Sequence, residues 1–272
     1  MMTMRWLGRK LMTAGMVGIL AWGGLSGCTP KQNQTQPPTK QEKAAKKSAP
    51  ARPNYQQIAA RNLAAFKAAH GSYKTFNYDP QIDAISLAPT TFAGLEKESG
   101  STLVRALVTN WRQAETMFEQ QVYTAVTLHV DQVVTGQKKL RDKTLTLVLP
   151  GGFRRYGDFA QGSAYKDPAI PDDTAVFTSN ELVPLPPIGT TVVVAVGRRD
   201  PAKQYAPYAA WLKKEKLTAT VECTDSSGLF WRYDPQTEKL TYNTPTRQKE
   251  IDGTWPVNQP MAQLTRDVAA RL

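Results

Sequence analysis

Hydrophobic and polar residues alternate along several segments of the chain between Leu103 and Tyr242, and this period of two predicts β-strands. The pattern is clear in Gln121–Val134, where residues 126, 128 and 130 are aliphatic, whereas His129 and its neighbours at 127 and 131 are polar. One face of that strand is therefore predicted to be buried. The remaining predicted strands are Leu103–Trp111, Thr144–Leu149, Thr190–Val196, Leu217–Cys223 and a hairpin that joins Gly228–Tyr233 to a short strand ending at Tyr242.

Apolar residues recur with the helical period on both sides of this strand-rich region. In Tyr55–His70 they form a stripe among alanines, and Gly71 provides a suitable C-terminal stop. In Pro260–Leu272 four apolar residues share one face, and Asn258 is a candidate N-cap. A further short helix is predicted around Phe92–Glu98.

This order of elements predicts the fold class. Strands separated by turns, with helices gathered at the two ends, indicate one β-rich domain over residues 55–272 and not an alternating parallel sheet. We expect a mainly β (α+β) protein: a single OB-like small β-barrel, or a curled antiparallel sheet, with flanking N- and C-terminal helices. Closing the sheet into a barrel would remove exposed strand edges.

The N-terminal segment has the pattern of a secretory signal. Three basic residues precede an apolar run, Leu11–Leu25, which ends in small residues. A membrane-spanning helix is the alternative, but it needs about 20 apolar residues, and several glycines interrupt this shorter run. The sequence Leu25-Ser26-Gly27-Cys28 resembles the lipobox of bacterial lipoproteins of the Gram-positive type. The resemblance implies that residues 1–27 are a signal peptide, that Cys28 carries a diacylglyceryl group, and that the protein is anchored on the extracellular face of the cell membrane.

The net charge of +11 is concentrated near this predicted anchor. Nine of the 34 Lys and Arg residues lie before Tyr55, against one of the 23 acidic residues, which leaves 25 basic and 22 acidic residues for Tyr55–Leu272. Residues 28–54 are therefore predicted to be a lipidated Cys followed by a disordered basic tether. The tether lysines suit an anionic membrane or wall, or they merely keep a solvated tether extended. The balanced domain argues against a nucleic-acid partner.

Residue types that would support catalysis or metal binding are few. With the first cysteine lipidated, Cys223 is the remaining thiol, and its strand-like surroundings favour a buried structural residue over a nucleophile. Glu115 and Glu119 have the spacing of a solvated helix face. Asp172-Asp173 lacks the regular ligand spacing of a calcium loop and is predicted to be a solvated turn. We therefore expect no enzyme activity, no cofactor and no metal.

The long connection from Gly151 to Gly189 is the candidate functional surface, because unstructured connections of this length are often binding loops. Its aromatic and arginine side chains suit stacking on a sugar or another flat ligand, such as a cell-wall polymer, or contact with an envelope protein. The alternatives are that these rings only fasten the loop to the barrel, or that the loop is the substrate lid of a wall-modifying or protein-processing enzyme. The candidate residues are Phe153, Arg154, Arg155, Tyr156, Phe159 and Tyr165.

The strand-rich region also resembles a known class of domain. The motifs that carry the resemblance lie between residues 95 and 235, and they include Tyr123–Gly136, Thr144–Gly152 and the run after Gly189. They are similar to uncharacterised extracellular domains of Gram-positive bacteria that look like small OB-like barrels. The resemblance implies a fold and carries no activity, and this chain departs from the pattern by its long insertion after Gly152.

Overall fold

The computed structural model describes residues 53–78, 91–98, 101–114, 122–161, 166–198, 200, 204–217, 221–223, 229–253 and 259–272, all within one compact unit, Ala51–Leu272. The strands are β1 (Lys74–Tyr78), β2 (Thr102–Gln113), β3 (Tyr123–Thr135), β4 (Thr144–Arg155), β5 (Ala175–Asn180), β6 (Thr191–Arg198), β7 (Val221–Cys223), β8 (Phe230–Asp234) and β9 (Lys239–Tyr242). The α-helices are α1 (Tyr55–His70), α2 (Phe92–Glu98), α3 (Tyr156–Ala160), α4 (Ala206–Lys214), α5 (Pro245–Asp252) and α6 (Gln259–Ala269).

Five of these strands close a β-barrel. Strand β2 pairs antiparallel with β3 and with β6, and β3 pairs antiparallel with β4. The ring is completed by β7, which lies antiparallel to β6 and parallel to β4, where Val221 is opposite Leu147. The predicted fold class is confirmed: the protein is mainly β with flanking helices, and its closed five-stranded barrel is consistent with an OB-like barrel.

The barrel interior is filled by the aliphatic positions of the alternating pattern. Val126, Leu128 and Val130 of β3 are fully buried, as the sequence predicts, together with aliphatic residues of β2, β4 and β6. Burying one such side chain contributes about 1.5–3 kcal/mol. Helix α1 packs against the same core: Ala59 is buried, and Leu63 lies against the cluster.

Two sheet extensions leave the barrel. Strand β4 continues past its barrel segment through Gly151 to Arg155 and there pairs with β5, which pairs in parallel with β1. On the other side β6 pairs with β8, and β8 with β9. A second core forms under this extension, where Trp231 and Tyr242 pack with Leu264 of α6.

The structure differs from the predicted elements in the insertion and after β6. The connection after Gly151 is not unstructured, because it contains the end of β4, helix α3 and strand β5. Helices α4 and α5 and strand β1 were not predicted from the sequence. Of the strand predicted at Leu217–Cys223, the described residues are Leu217, which is not in a strand, and Val221–Cys223, which form β7. None of the helices in the described part of the chain has the length and apolar character that a membrane span requires.

Several predicted features lie outside the described residues. They are the signal segment, Cys28, the tether as far as Arg52, Glu115, Glu119, Tyr165 and Asn258.

Candidate functional site

The outer face of β3 and β4 is the part of this barrel where a ligand site is expected. OB-type barrels bind oligonucleotides and oligosaccharides on the face of their second and third strands, between the loops that join strands 1–2 and 4–5. In chain order the barrel strands here are β2, β3, β4, β6 and β7, so β3 and β4 form that face. Helix α4 lies in the connection between the fourth and fifth strands.

Aromatic residues of α4 pack against the start of β3. The ring of Tyr123 lies 5.2 Å from that of Trp211 and 6.1 Å from that of Tyr208, and the rings of Tyr208 and Trp211 stack at 5.5 Å. Trp211 is buried and anchors the helix through a small cluster with Leu212. Tyr208 and Tyr123 are half-buried, so part of each ring faces solvent.

Tyr205 extends this aromatic surface outward. It directly precedes α4, three residues before Tyr208, and 68% of its surface is exposed. Tyr73, at 37%, is the other exposed large hydrophobic residue among those that the structure describes. A single exposed ring is common on protein surfaces, so Tyr205 matters here only because it lies next to the partly exposed rings of Tyr208 and Tyr123.

A polar group continues the same face across the sheet. Tyr78 of β1 is in register with Asn180 of β5 and forms a side-chain hydrogen bond with it. Arg154 of β4 faces the side of the sheet opposite to its neighbour Phe153, and its charge acts on the Tyr78 phenol. We refer to the residues of this surface as the tyrosine face: Tyr78, Tyr123, Arg154, Tyr205 and Tyr208.

The electrostatics of the tyrosine face keep the phenols of Tyr123 and Tyr78 neutral beside one cation. Burial raises the pKa of Tyr123 to about 12, and the neighbouring phenols of Tyr208 and Tyr78 reinforce the rise. Burial also raises the pKa of Tyr78, although the hydrogen bond with Asn180 and the charge of Arg154 oppose it. Burial lowers the pKa of Arg154 from its very high ordinary value, against the effect of Asp158. The face therefore offers neutral hydroxyls, apolar rings and one guanidinium.

Phe153, the first of the six predicted site residues, lies on the opposite side of β4 from Arg154. Its ring stacks on that of His70 at 4.0 Å and contacts those of Phe66 and Phe177 at 5.9 and 5.1 Å. These contacts join the end of α1 to the sheet extension. The backbone of Phe153 is also held by both ends of the Gln113 amide, at 2.6 and 2.7 Å.

The remaining predicted residues are used mainly within the insertion itself. Tyr156 is fully buried, and its hydroxyl accepts a hydrogen bond from the backbone N–H of Asp167 at 2.5 Å. The guanidinium of Arg154 lies 5.8 Å from the ring centre of Phe159. Arg155 is exposed and pairs with Asp158 at 3.0 Å. The structure thus brings only Arg154 of the described candidates to the tyrosine face.

His129 and Cys223 lie on two different barrel strands, β3 and β7. The His129 ring stacks on that of Tyr55 at 3.4 Å, and burial lowers its pKa against the nearby Asp142 and Asp131 carboxylates. Strand β4 separates the strand of His129 from that of Cys223. Among the described residues there is no group of three His, Cys, Asp or Glu that could hold a metal ion.

The tyrosines of this face were missed by the sequence analysis. Two signals in the sequence could have identified them. Tyr123 occupies a polar-face position of β3, and aromatic residues recur every three positions at Tyr205, Tyr208 and Trp211.

Comparison of the chain with protein-family models, with curated proteins and with solved structures returned no match. The assignment of the site therefore rests on the geometry of this chain.

Proposed function

We propose that this protein is a lipid-anchored surface protein whose barrel domain binds a glycan of the bacterial envelope without chemically altering it. The tyrosine face carries the binding part of the proposal, because Tyr205 and Tyr208 offer partly exposed rings beside the flank of an OB-like barrel. Leu25-Ser26-Gly27-Cys28 carries the anchoring part. The two parts are tested separately.

The anchoring proposal depends on the thiol of Cys28. A single acyl chain gives only marginal, reversible membrane binding, whereas two chains together hold a protein stably. A diacylglyceryl group on Cys28 would therefore account for attachment, and the lysines of the basic tether would add about 1 kcal/mol each near an anionic surface.

The test of the anchor is Cys28→Ser in cells fed a labelled fatty acid. The wild-type chain is expected to incorporate the label and to fractionate with membranes. The variant is expected to lose the label completely, because a hydroxyl replaces the only thiol in the motif. Cys223→Ser is the matched control and should label normally. Continued labelling of Cys28→Ser would contradict the lipobox assignment.

Charge and chemistry favour a glycan over a nucleic acid as the ligand. Nucleic-acid binding depends on neutralising several phosphates, whereas the domain from Tyr55 onward has nearly equal numbers of acidic and basic residues. A tyrosine ring stacks on the apolar face of a sugar, while its hydroxyl remains available for hydrogen bonds. The guanidinium of Arg154 is suited to a carboxylate on such a glycan.

A binding experiment with the full chain tests this ligand class. The detergent-solubilised protein is incubated with insoluble wall polymer and, separately, with immobilised membrane proteins. We expect it to sediment with the wall polymer and to be released by soluble wall oligosaccharides. Capture by membrane proteins alone, with no wall binding, would contradict the glycan proposal and indicate a protein partner.

A further inference from the structure

A second concave surface lies where the β6–β8–β9 extension meets the first turn of α1. This groove has a volume of about 540 Å³, which is within the range of small-molecule sites, about 300–1,000 Å³. It is lined by hydroxyl groups of Thr190, Thr191 and Thr241, by Gln56 of α1, and by two cations. It shares no residue with the tyrosine face, so its role is a separate question.

The two cations of the groove, Arg232 and Lys239, have no carboxylate partner among the described residues. The guanidinium of Arg232 donates one hydrogen bond, from Nη2 to the carbonyl oxygen of Asn243 at 3.1 Å. Its Nε is buried without a hydrogen-bond partner in the described structure. A buried donor such as this Nε is uncommon without a partner, because buried donors are normally satisfied.

Asp234 is the one acid among the described residues that line the groove, and it forms hydrogen bonds within its own turn. Its carboxylate accepts hydrogen bonds from the backbone N–H of Gln236 and from the hydroxyl of Thr237, each at 2.9 Å. These bonds lower the pKa of Asp234, so its carboxylate remains ionised and keeps both hydrogen bonds. The described lining of the groove therefore holds two cations against one ionised carboxylate, and that carboxylate lies on β8 opposite Lys239 of β9. This leaves one net positive charge beside several hydroxyl donors.

We propose that this groove binds the phosphate group of a phosphate ester. A guanidinium matches the spacing of phosphate oxygens, an ammonium adds a second positive charge, and threonine hydroxyls supply further donors. Gln56, which lines the groove, follows Cys28 by 28 positions in the sequence. If Cys28 is lipidated as proposed above, phospholipid headgroups are one source of such a group. Free phosphate esters are the other.

Calorimetric titration of the full chain in non-ionic detergent with glycerol 3-phosphate tests the site. We expect saturable binding at one site per chain, with no heat of binding for glycerol. Arg232→Gln and Lys239→Gln should each weaken binding about tenfold or more, which corresponds to the loss of one charge-assisted hydrogen bond. Lys143→Gln removes an exposed cation that does not line the groove and should change nothing.

Two groove variants are used so that the test still gives a result if one of them disturbs the fold. Arg232→Gln also removes the bond to Asn243 and can disturb the fold, whereas the exposed Lys239 can be replaced without loss of a described contact. Absence of saturable binding, or binding that neither variant weakens, would overturn the proposal. The titration does not depend on Cys28 or on Tyr208, so its failure is distinguishable from failure of the proposed function.

The source of the phosphate is identified by acylation of Lys239 with an amine-reactive reagent. The lipid-modified protein is placed in vesicles of phosphatidylcholine, with and without phosphatidylglycerol. Slower acylation in the phosphatidylglycerol vesicles supports the proposal with lipid headgroups as the ligand. Slower acylation only when glycerol 3-phosphate is added supports it with a free ester as the ligand. Unchanged acylation in every condition contradicts it.

Discussion

Tyr123 illustrates how the surroundings of one residue set its chemistry at the proposed site. It begins a barrel strand, yet its ring is enclosed by Tyr208 and Trp211 from the neighbouring helix. This partial burial reduces the contact of the phenol with water and raises its pKa to about 12. Neutral phenols near a guanidinium are suited to an uncharged or weakly acidic ligand, which agrees with the glycan proposal.

The raised pKa of Tyr123 predicts a stability change at alkaline pH. Below the ordinary phenol pKa of 10.0, the folded and unfolded chains both hold the proton, so stability is unaffected. Between pH 10 and about 12 the unfolded chain releases the proton and the folded chain retains it, so folding stability falls as pH rises. Denaturant unfolding of the full chain at several pH values measures this dependence.

Tyr123→Phe should reduce the loss of stability above pH 10, although Tyr78 leaves part of it in place. The matched control is Tyr205→Phe, because that residue is largely exposed. It should leave the pH dependence as in the wild-type chain. Equal alkaline behaviour of the wild type and Tyr123→Phe would show that the phenol is not enclosed as described.

The positions of single side chains were the feature that the sequence predicted least well. Phe153 and Arg154 are neighbours in the predicted candidate set, but alternation along a strand places them on opposite faces. The tyrosines at 78, 123 and 208 are far apart in the sequence and meet only because the strands pair across the sheet and α4 packs on β3. The spacing of these residues along the sequence does not show which strands pair or which strand α4 packs against.

The elements themselves were largely predictable, and the exceptions have physical causes. Long strands with a clear run of alternation, such as residues 126–130 of β3, were identified because one face is buried and the other is more exposed. Helix α4 is nine residues long and has a proline near its start, so the segment is too short to show a clear helical period in its apolar residues. Strand β4 was predicted to end before Gly151-Gly152, because two glycines indicate a turn, but the strand runs through them.

Gly151 is required where β4 passes from the barrel to the extension. Its φ is +116°, and a Cβ there would lie 2.8 Å from the backbone oxygen of Thr178 on β5. Gly151→Ala should therefore lower the free energy of unfolding by about 1–3 kcal/mol more than Gly189→Ala. Gly189 is the matched control, because its φ is +90° but a Cβ would meet no atom within 4 Å.

Chemical denaturation of both glycine variants provides the comparison. Because each position has a positive φ, both variants carry backbone strain, and their difference isolates the clash with β5. Equal loss of stability in the two variants would contradict the close approach of β4 and β5. It would then also weaken the placement of Arg154 beside Tyr78.

At the scale of the whole molecule, the distribution of charge and of side-chain chemistry separates the proposed anchor from the proposed binding face. The basic excess lies before Tyr55, whereas the domain is nearly balanced and exposes aromatic side chains at one flank of its barrel. The overall fold could be predicted from the sequence, because the alternating pattern specifies how the core is buried. The tyrosine face could not be predicted, since it is assembled from β1, β3, β4 and the segment around α4.

Binding of the full chain to insoluble wall polymer tests the central claim most directly, measured for the wild type and two matched variants. Replacing both Tyr205 and Tyr208 by Ala should weaken binding about tenfold, since each stacked ring contributes about 0.5–1.5 kcal/mol. Tyr73→Ala removes the other exposed large hydrophobic residue of the part of the chain that the structure describes, and this variant should bind as the wild type does. Wall binding that survives the double replacement, or that Tyr73→Ala weakens equally, would contradict the account.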